Sequence, residues 1–121
     1  MADYTRLTNL EVTGEIRANN VKITGEVRAV HKATTLTLTA NHTLTDGEKM
    51  TESLKVNSAS AVTLTLAGED GQTFHVVNTN ASDAITLKNV SGDSGTSLAA
   101  GKIAFVFCST VANQTKVCVL N

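Results

Sequence analysis

The chain has 121 residues, ten of them Lys or Arg and eleven Asp or Glu, for a net charge of −1. That length suits one domain with room for a short appended segment. The even balance excludes the one-sided basic field of a nucleic-acid footprint. Proline and tryptophan are absent, the aromatics are Tyr4, Phe74, Phe105 and Phe107, and nineteen residues are threonine. Threonine is β-branched and favours extended, half-exposed backbone, so the composition predicts an all-β protein with a thin aliphatic core.

Met1–Arg6 has no basic-then-apolar leader pattern, which predicts a chain made in the cytoplasm. No apolar run approaches the roughly 20 residues that span a bilayer, so no membrane partner is expected.

An eleven-residue unit is then written twice. Leu10-Glu11-Val12-Thr13-Gly14-Glu15-Ile16-Arg17-Ala18-Asn19-Asn20 is followed by Val21-Lys22-Ile23-Thr24-Gly25-Glu26-Val27-Arg28-Ala29-Val30. Period-two alternation places Leu10, Val12, Ile16 and Ala18 on one face, then Val21, Ile23, Val27 and Ala29. Two geometries fit: a hairpin turning at Asn19-Asn20, or stacked units. Gly14 and Gly25 suggest a bend or a close approach by another backbone. Stacks normally need about three units, so further copies of the chain are the expected partners.

The texture changes after His31-Lys32, and the boundary falls near Val30–Thr34. Strands are predicted at Thr34–Thr39, Glu52–Asn57, Val62–Leu66, Thr73–Asn78, Ala84–Asn89, Ile103–Cys108 and Lys116–Leu120, with Ala40–Thr45 a turn or short strand. Asp46-Gly47-Glu48 has hairpin-turn chemistry, and Ser91–Gly95 is read as a surface loop. Such spacing predicts a small antiparallel β-sandwich or barrel. The organisation expected is therefore a β-repeat base over 1–32 and a projecting β-domain over 33–121.

No catalytic constellation emerges. His31, His42 and His75 lie in no recognised catalytic or metal-binding frame, and His75 reads as a strand residue alternating with Phe74 and Val76. Glu69-Asp70 between Gly68 and Gly71 reads as a solvated turn, because two carboxylates are too few for a hard cation. Cys108 and Cys118 are symmetric about Asn113, so a hairpin centred there allows a cross-strand disulfide; buried free thiols are the favoured reading. The Asn-x-Ser/Thr triplets at Asn41, Asn80, Asn89 and Asn113 are expected by chance in a Thr-rich chain. No catalytic residue, metal or cofactor is predicted.

Three segments carry a resemblance: Ser60-Ala61-Val62-Thr63-Leu64-Thr65-Leu66, Gly71-Gln72-Thr73-Phe74-His75-Val76-Val77-Asn78-Thr79, and Ala84-Ile85-Thr86-Leu87. Together they resemble a β-module of tailed-bacteriophage fibre and capsid-decoration proteins. Leu7-Thr8-Asn9-Leu10-Glu11-Val12-Thr13-Gly14-Glu15-Ile16 is similar to the opening of phage head-fibre proteins. One departure is Ala67-Gly68, where such modules often place a proline.

The resemblance implies a non-enzymatic virion protein: a homotrimer bound to the outside of a capsid. Its expected trimer interface is Leu10, Val12, Gly14, Ile16, Val21, Ile23, Gly25 and Val27. Ala2, Asp3, Tyr4, Thr5, Arg6 and Leu7 are expected to grip the major capsid protein. The alternative is a tail-fibre or baseplate module recognising a host-surface glycan; it needs an exposed aromatic platform, whereas Phe74, Phe105 and Phe107 read as core. An enzyme built on His42 or His75 is the third reading.

Overall fold

The computed structural model describes residues 9–26 and 33–120. The body is all-β. Its strands are β1 (Thr34–Leu38), β2 (His42–Thr43), β3 (Ser53–Ser58), β4 (Val62–Thr65), β5 (Thr73–Asn78), β6 (Ile85–Lys88), β7 (Thr96–Leu98), β8 (Ile103–Phe107) and β9 (Lys116–Leu120). Seven of them lie where alternation predicts strands, because each turns every second side chain inward, fully buried as in Phe74, Val76 and Asn78 of β5 or half-buried as in Val117 and Val119 of β9. The short β7 falls where only Leu98 interrupts a loop-like composition.

The pairing differs from the antiparallel arrangement expected. One mixed sheet runs β1-β3-β5-β8-β9 and the other β2-β4-β6-β7, and neither closes into a barrel. Within the first sheet β1, β3 and β5 are parallel, and so are β2, β4 and β6 in the second. The chain thus coils. It places one strand in each sheet, then returns to start the next coil beside the last. The corners 39–41 and 59–61 look like hairpin loops in sequence, yet they lead into the opposite sheet. Parallel neighbours need a crossover, and here the other sheet's strand supplies it.

Aligned residues of successive coils lie twenty apart at first, Thr34 beside Leu54, and twenty-three apart at the last, Val62 beside Ile85. Antiparallel β7, β8 and β9 then finish the two sheets. This is the logic of a short solenoid, in which each unit is stabilised by its neighbours.

Both sheets share one core. Leu54, Leu64, Leu66, Phe74, Val76, Ile85, Leu87 and Leu98 are fully buried, and each such side chain contributes roughly 1.5–3 kcal/mol. Val117 and Val119 of β9 pack against this cluster.

Residues 9–26 differ from the predicted strands. They carry no regular strand, and all are exposed. The hairpin reading therefore finds no paired strands within the described residues. Val27 of the expected interface and Ala2–Leu7 of the expected attachment site lie outside the described residues, as does His31.

Candidate functional site

The coil corners are built from asparagine. Asn41 Oδ1 accepts the Thr63 N–H at 2.9 Å. Asn80 Oδ1 accepts the Ser58 N–H at 2.6 Å, and its Nδ2 donates to the Ser58 hydroxyl at 2.8 Å. Asn89 Oδ1 accepts the Gly68 N–H at 2.7 Å and its Nδ2 donates to the Ser109 carbonyl at 2.8 Å. Asn78 Nδ2 donates to the Asp83 and Leu98 carbonyls, both at 2.9 Å. Where the chain leaves a sheet, its backbone groups lose ladder partners, and buried ones must be satisfied otherwise. Three of these four asparagines are buried. The Asn41, Asn80 and Asn89 triplets, together with Asn113, therefore have structural roles. Of the four corner asparagines only Asn78 lies in a sequence repeat, Val-Asn-Ser (56–58) against Val-Asn-Thr (77–79), and its counterpart Asn57 is exposed in β3, so the repeat does not single them out.

Asp93 is the one buried carboxylate among the described residues, and it turns inward from a Ser91–Gly95 loop that otherwise lies at the surface, as expected. It accepts the N–H groups of Asn89 at 3.0 Å, Val90 at 3.2 Å and Asn113, and the Thr115 hydroxyl at 2.9 Å. Burial alone would raise its pKa. The backbone donors of Asn113, Asn89 and Val90, with the Thr115 hydroxyl, outweigh that and hold it below the ordinary value. Asn113 itself adopts φ 64°, a left-handed conformation that asparagine tolerates. The oxygens of Asp93 are used by the chain itself, which makes it a pin between two loops.

At the open end of the coil, His42 Nε2 lies 2.9 Å from Glu48 Oε1. Glu48 accepts the Thr45 N–H at 2.8 Å, and the Thr45 hydroxyl accepts the Glu48 N–H at 3.3 Å. These reciprocal bonds close the loop just ahead of the 3-10 turn Glu48–Met50, which follows Gly47 where a hairpin turn was expected. Burial pushes the Glu48 carboxyl up, but the Thr45 backbone and His42 bring it below its ordinary value.

The outer face of the first sheet is apolar along β8 and β9. Ile103, Phe105, Phe107 and Leu120 are 41, 46, 54 and 42 % exposed. This overturns the reading of Phe105 and Phe107 as core; Phe74 alone is buried. The register pairs Phe105 with both His75 and Cys118, and the His75 ring meets Phe105 edge-on at 4.4 Å. Phe107, Thr73, Lys116 and Cys118 border a shallow apolar depression there. Contiguous exposed apolar surface of this kind marks interaction sites.

The same register separates the cysteines. Both are free; Cys108 faces inward and Cys118 outward. They are not opposite one another, because Phe107 pairs with Lys116 and the hairpin is centred before Asn113. Burial, then the charge of Asp93, pushes the Cys108 thiol up to about 11.

A second exposed apolar feature lies in the duplicated segment. Leu10, Val12, Ile16, Val21 and Ile23 are 44–68 % exposed, and a Cβ built on Gly14 or Gly25 would meet nothing within 4 Å. The structure therefore does not bring the predicted interface residues together within one chain.

Among the described residues, no three His, Cys, Asp or Glu side chains form a group able to hold a metal ion, and no helix is long and apolar enough to cross a membrane. No protein-family model matches the chain, and no curated protein or solved structure matches it. Two exposed apolar surfaces, one along β8 and β9 and one in the duplicated segment, are candidate interaction surfaces among the described residues.

Proposed function

We propose that the chain is a non-enzymatic virion structural protein, a trimeric head fibre or decoration protein on the outer surface of a phage capsid. The observation that carries this reading is the exposed apolar stripe of the duplicated segment, Leu10, Val12, Ile16, Val21 and Ile23, in a chain that resembles head-fibre proteins. Three copies joined through that stripe would remove it from water, at about 25 cal/mol per Å². Closed symmetry would also cover strand edges that otherwise invite aggregation.

In this reading residues 1–32 are the base. Ala2–Leu7 contact the major capsid protein, and residues 33–121 project as a compact sandwich-like body. The protein is made in the host cytoplasm and resides on the virion, without cofactor, nucleic-acid or membrane partner. Light scattering of the purified chain should give the mass of three copies, and a stable monomer at micromolar concentration would remove the proposal. Co-sedimentation with capsids lacking their fibres tests the partner.

A second reading is favoured by one specific observation. Phe105 and Phe107 are exposed beside His75, and an aromatic face of this kind can stack on the apolar side of a sugar. A tail-fibre or baseplate module recognising a host-surface glycan would use it. Glycan-array binding that is lost in Phe105→Ala, without capsid affinity, would favour this reading over the first.

A further inference from the structure

The coiled body begins on an unfinished edge. Among the described residues β1 pairs only with β3, and β2 only with β4, so one side of each offers backbone groups to a further parallel strand. The coil that would lie there is written in the sequence. Successive coils are offset by twenty to twenty-three residues, and the two eleven-residue units together span one such offset. Stepping back twenty residues puts Ile16 beside Leu36 and Ala18 beside Leu38. Stepping back twenty-one puts Val21 beside His42 and Ile23 beside Leu44. Leu36, Leu38 and Leu44 are buried in the core, and His42 is in register with buried Leu64.

The polar positions agree as well. Arg17 falls beside exposed Thr37, and Lys22 beside exposed Thr43. Asn20 falls at the corner beside Asn41. Asn41 accepts the N–H of Thr63, twenty-two residues on; the same step from Asn20 reaches the N–H of His42. The eleven-residue unit thus has the length and pattern of one strand-and-corner, and two units have those of one coil.

We propose that the open β1–β2 end of the body is a docking site for residues 14–24 of a second copy of this chain, which add the missing coil by parallel strand exchange. Within one chain this segment is exposed and Gly14 meets no neighbour, so the same molecule carries a bare apolar segment and an unfilled end that fits it. Head-to-tail exchange around a three-fold axis satisfies both features in every copy, and swapping an identical element between protomers is a low-cost route to closed assemblies. The inference rests on the trimeric reading and deepens it: the stripe is buried against a neighbour's core, not against two other stripes.

The test is a cysteine pair, Arg17→Cys with Thr37→Cys, in a Cys118→Ser background of the full chain. Both positions are exposed, so the body should fold unchanged. Residues on adjacent strands in this register come within the roughly 4.4–6.8 Å Cα separation that a disulfide needs. Mild oxidation should convert most of the protein into reductant-sensitive covalent dimers and trimers, and neither single variant should link. Linkage by Arg17→Cys alone would overturn the exchange, because it places stripe against stripe. Loss of free thiols at the mass of one chain would overturn it in favour of the chain's own segment. A trimer by light scattering with both thiols free would overturn the exchange but leave the trimer, and an unlinked monomer would overturn both.

Discussion

The Thr115 hydroxyl donates to Asp93 Oδ2 at 2.9 Å and so ties the loop after β6 to the turn before β9. The same oxygen also receives the N–H groups of Asn89 and Val90. Asp93→Ala would leave those buried donors without an acceptor, at about 1–3 kcal/mol or more, since the lost acceptor is charged. A lower urea midpoint with an unchanged slope would report this loss. Asp93→Asn keeps one acceptor oxygen and should cost less.

Asp93 and Glu48 both carry depressed pKa values, which sets the sign of the acid response. A carboxyl held lower in the folded than in the unfolded state adds stability that is fully present above the unfolded value, near 4. That contribution is lost as pH falls through the lower, folded values. Melting temperature should hold from neutral pH to about 5 and decline below it. The decline should be shallower in Asp93→Ala, measured by circular dichroism across the acid range.

Cys118 and Cys108 should separate cleanly in thiol reactivity. Cys118 is exposed, whereas Cys108 is buried with its thiol pushed up to about 11, leaving roughly a thousandth as thiolate at pH 8. A thiol reagent should modify one cysteine per chain under native conditions and the second only on unfolding. Peptide mapping identifies which.

Phe74 and Phe105 differ by one face of the sheet. Phe74 is fully buried, so Phe74→Ala should cost about 3–5 kcal/mol. Phe105→Ala, on the outer face, should change unfolding by less than about 1 kcal/mol. Its effect should appear in binding or self-association, so chemical denaturation and glycan-array measurements on the same variant distinguish the two roles.

Ile16→Asp or Ile23→Asp should abolish assembly, because each would place a charge in a buried interface. The β-body of a single chain should still fold, since both side chains are exposed there, and its melting temperature should fall only by what a docked neighbour contributed. Gly14→Val and Gly25→Val sharpen the point. A Cβ there meets nothing within one chain, so any loss of mass in light scattering reports contact with another copy.

Strand positions were legible because burial on one face imposes period two, as at Thr73–Asn78, whose bounds match the structure. Which strands pair was not legible. Ser58–Val62 has the length of a hairpin loop, and only the acceptors waiting in the next coil, such as Asn80 Oδ1 for the Ser58 N–H, reveal it as a corner between sheets. Phe105 and Phe107 alternate with Ala104 and Val106, so the period set them on a common face. Nothing local states which face meets the core, and the smaller pair turns inward.

By itself the sequence determined the all-β class, the positions of seven strands of the body and the duplicated apolar unit, because each follows from side-chain alternation and β-branching along a few residues. The tertiary structure decided the parallel coiling, the burial of Asp93, the separation of the two thiols and the exposed aromatic face. Those depend on register between strands twenty or more residues apart, where the shared core selects one pairing from several that local patterning permits.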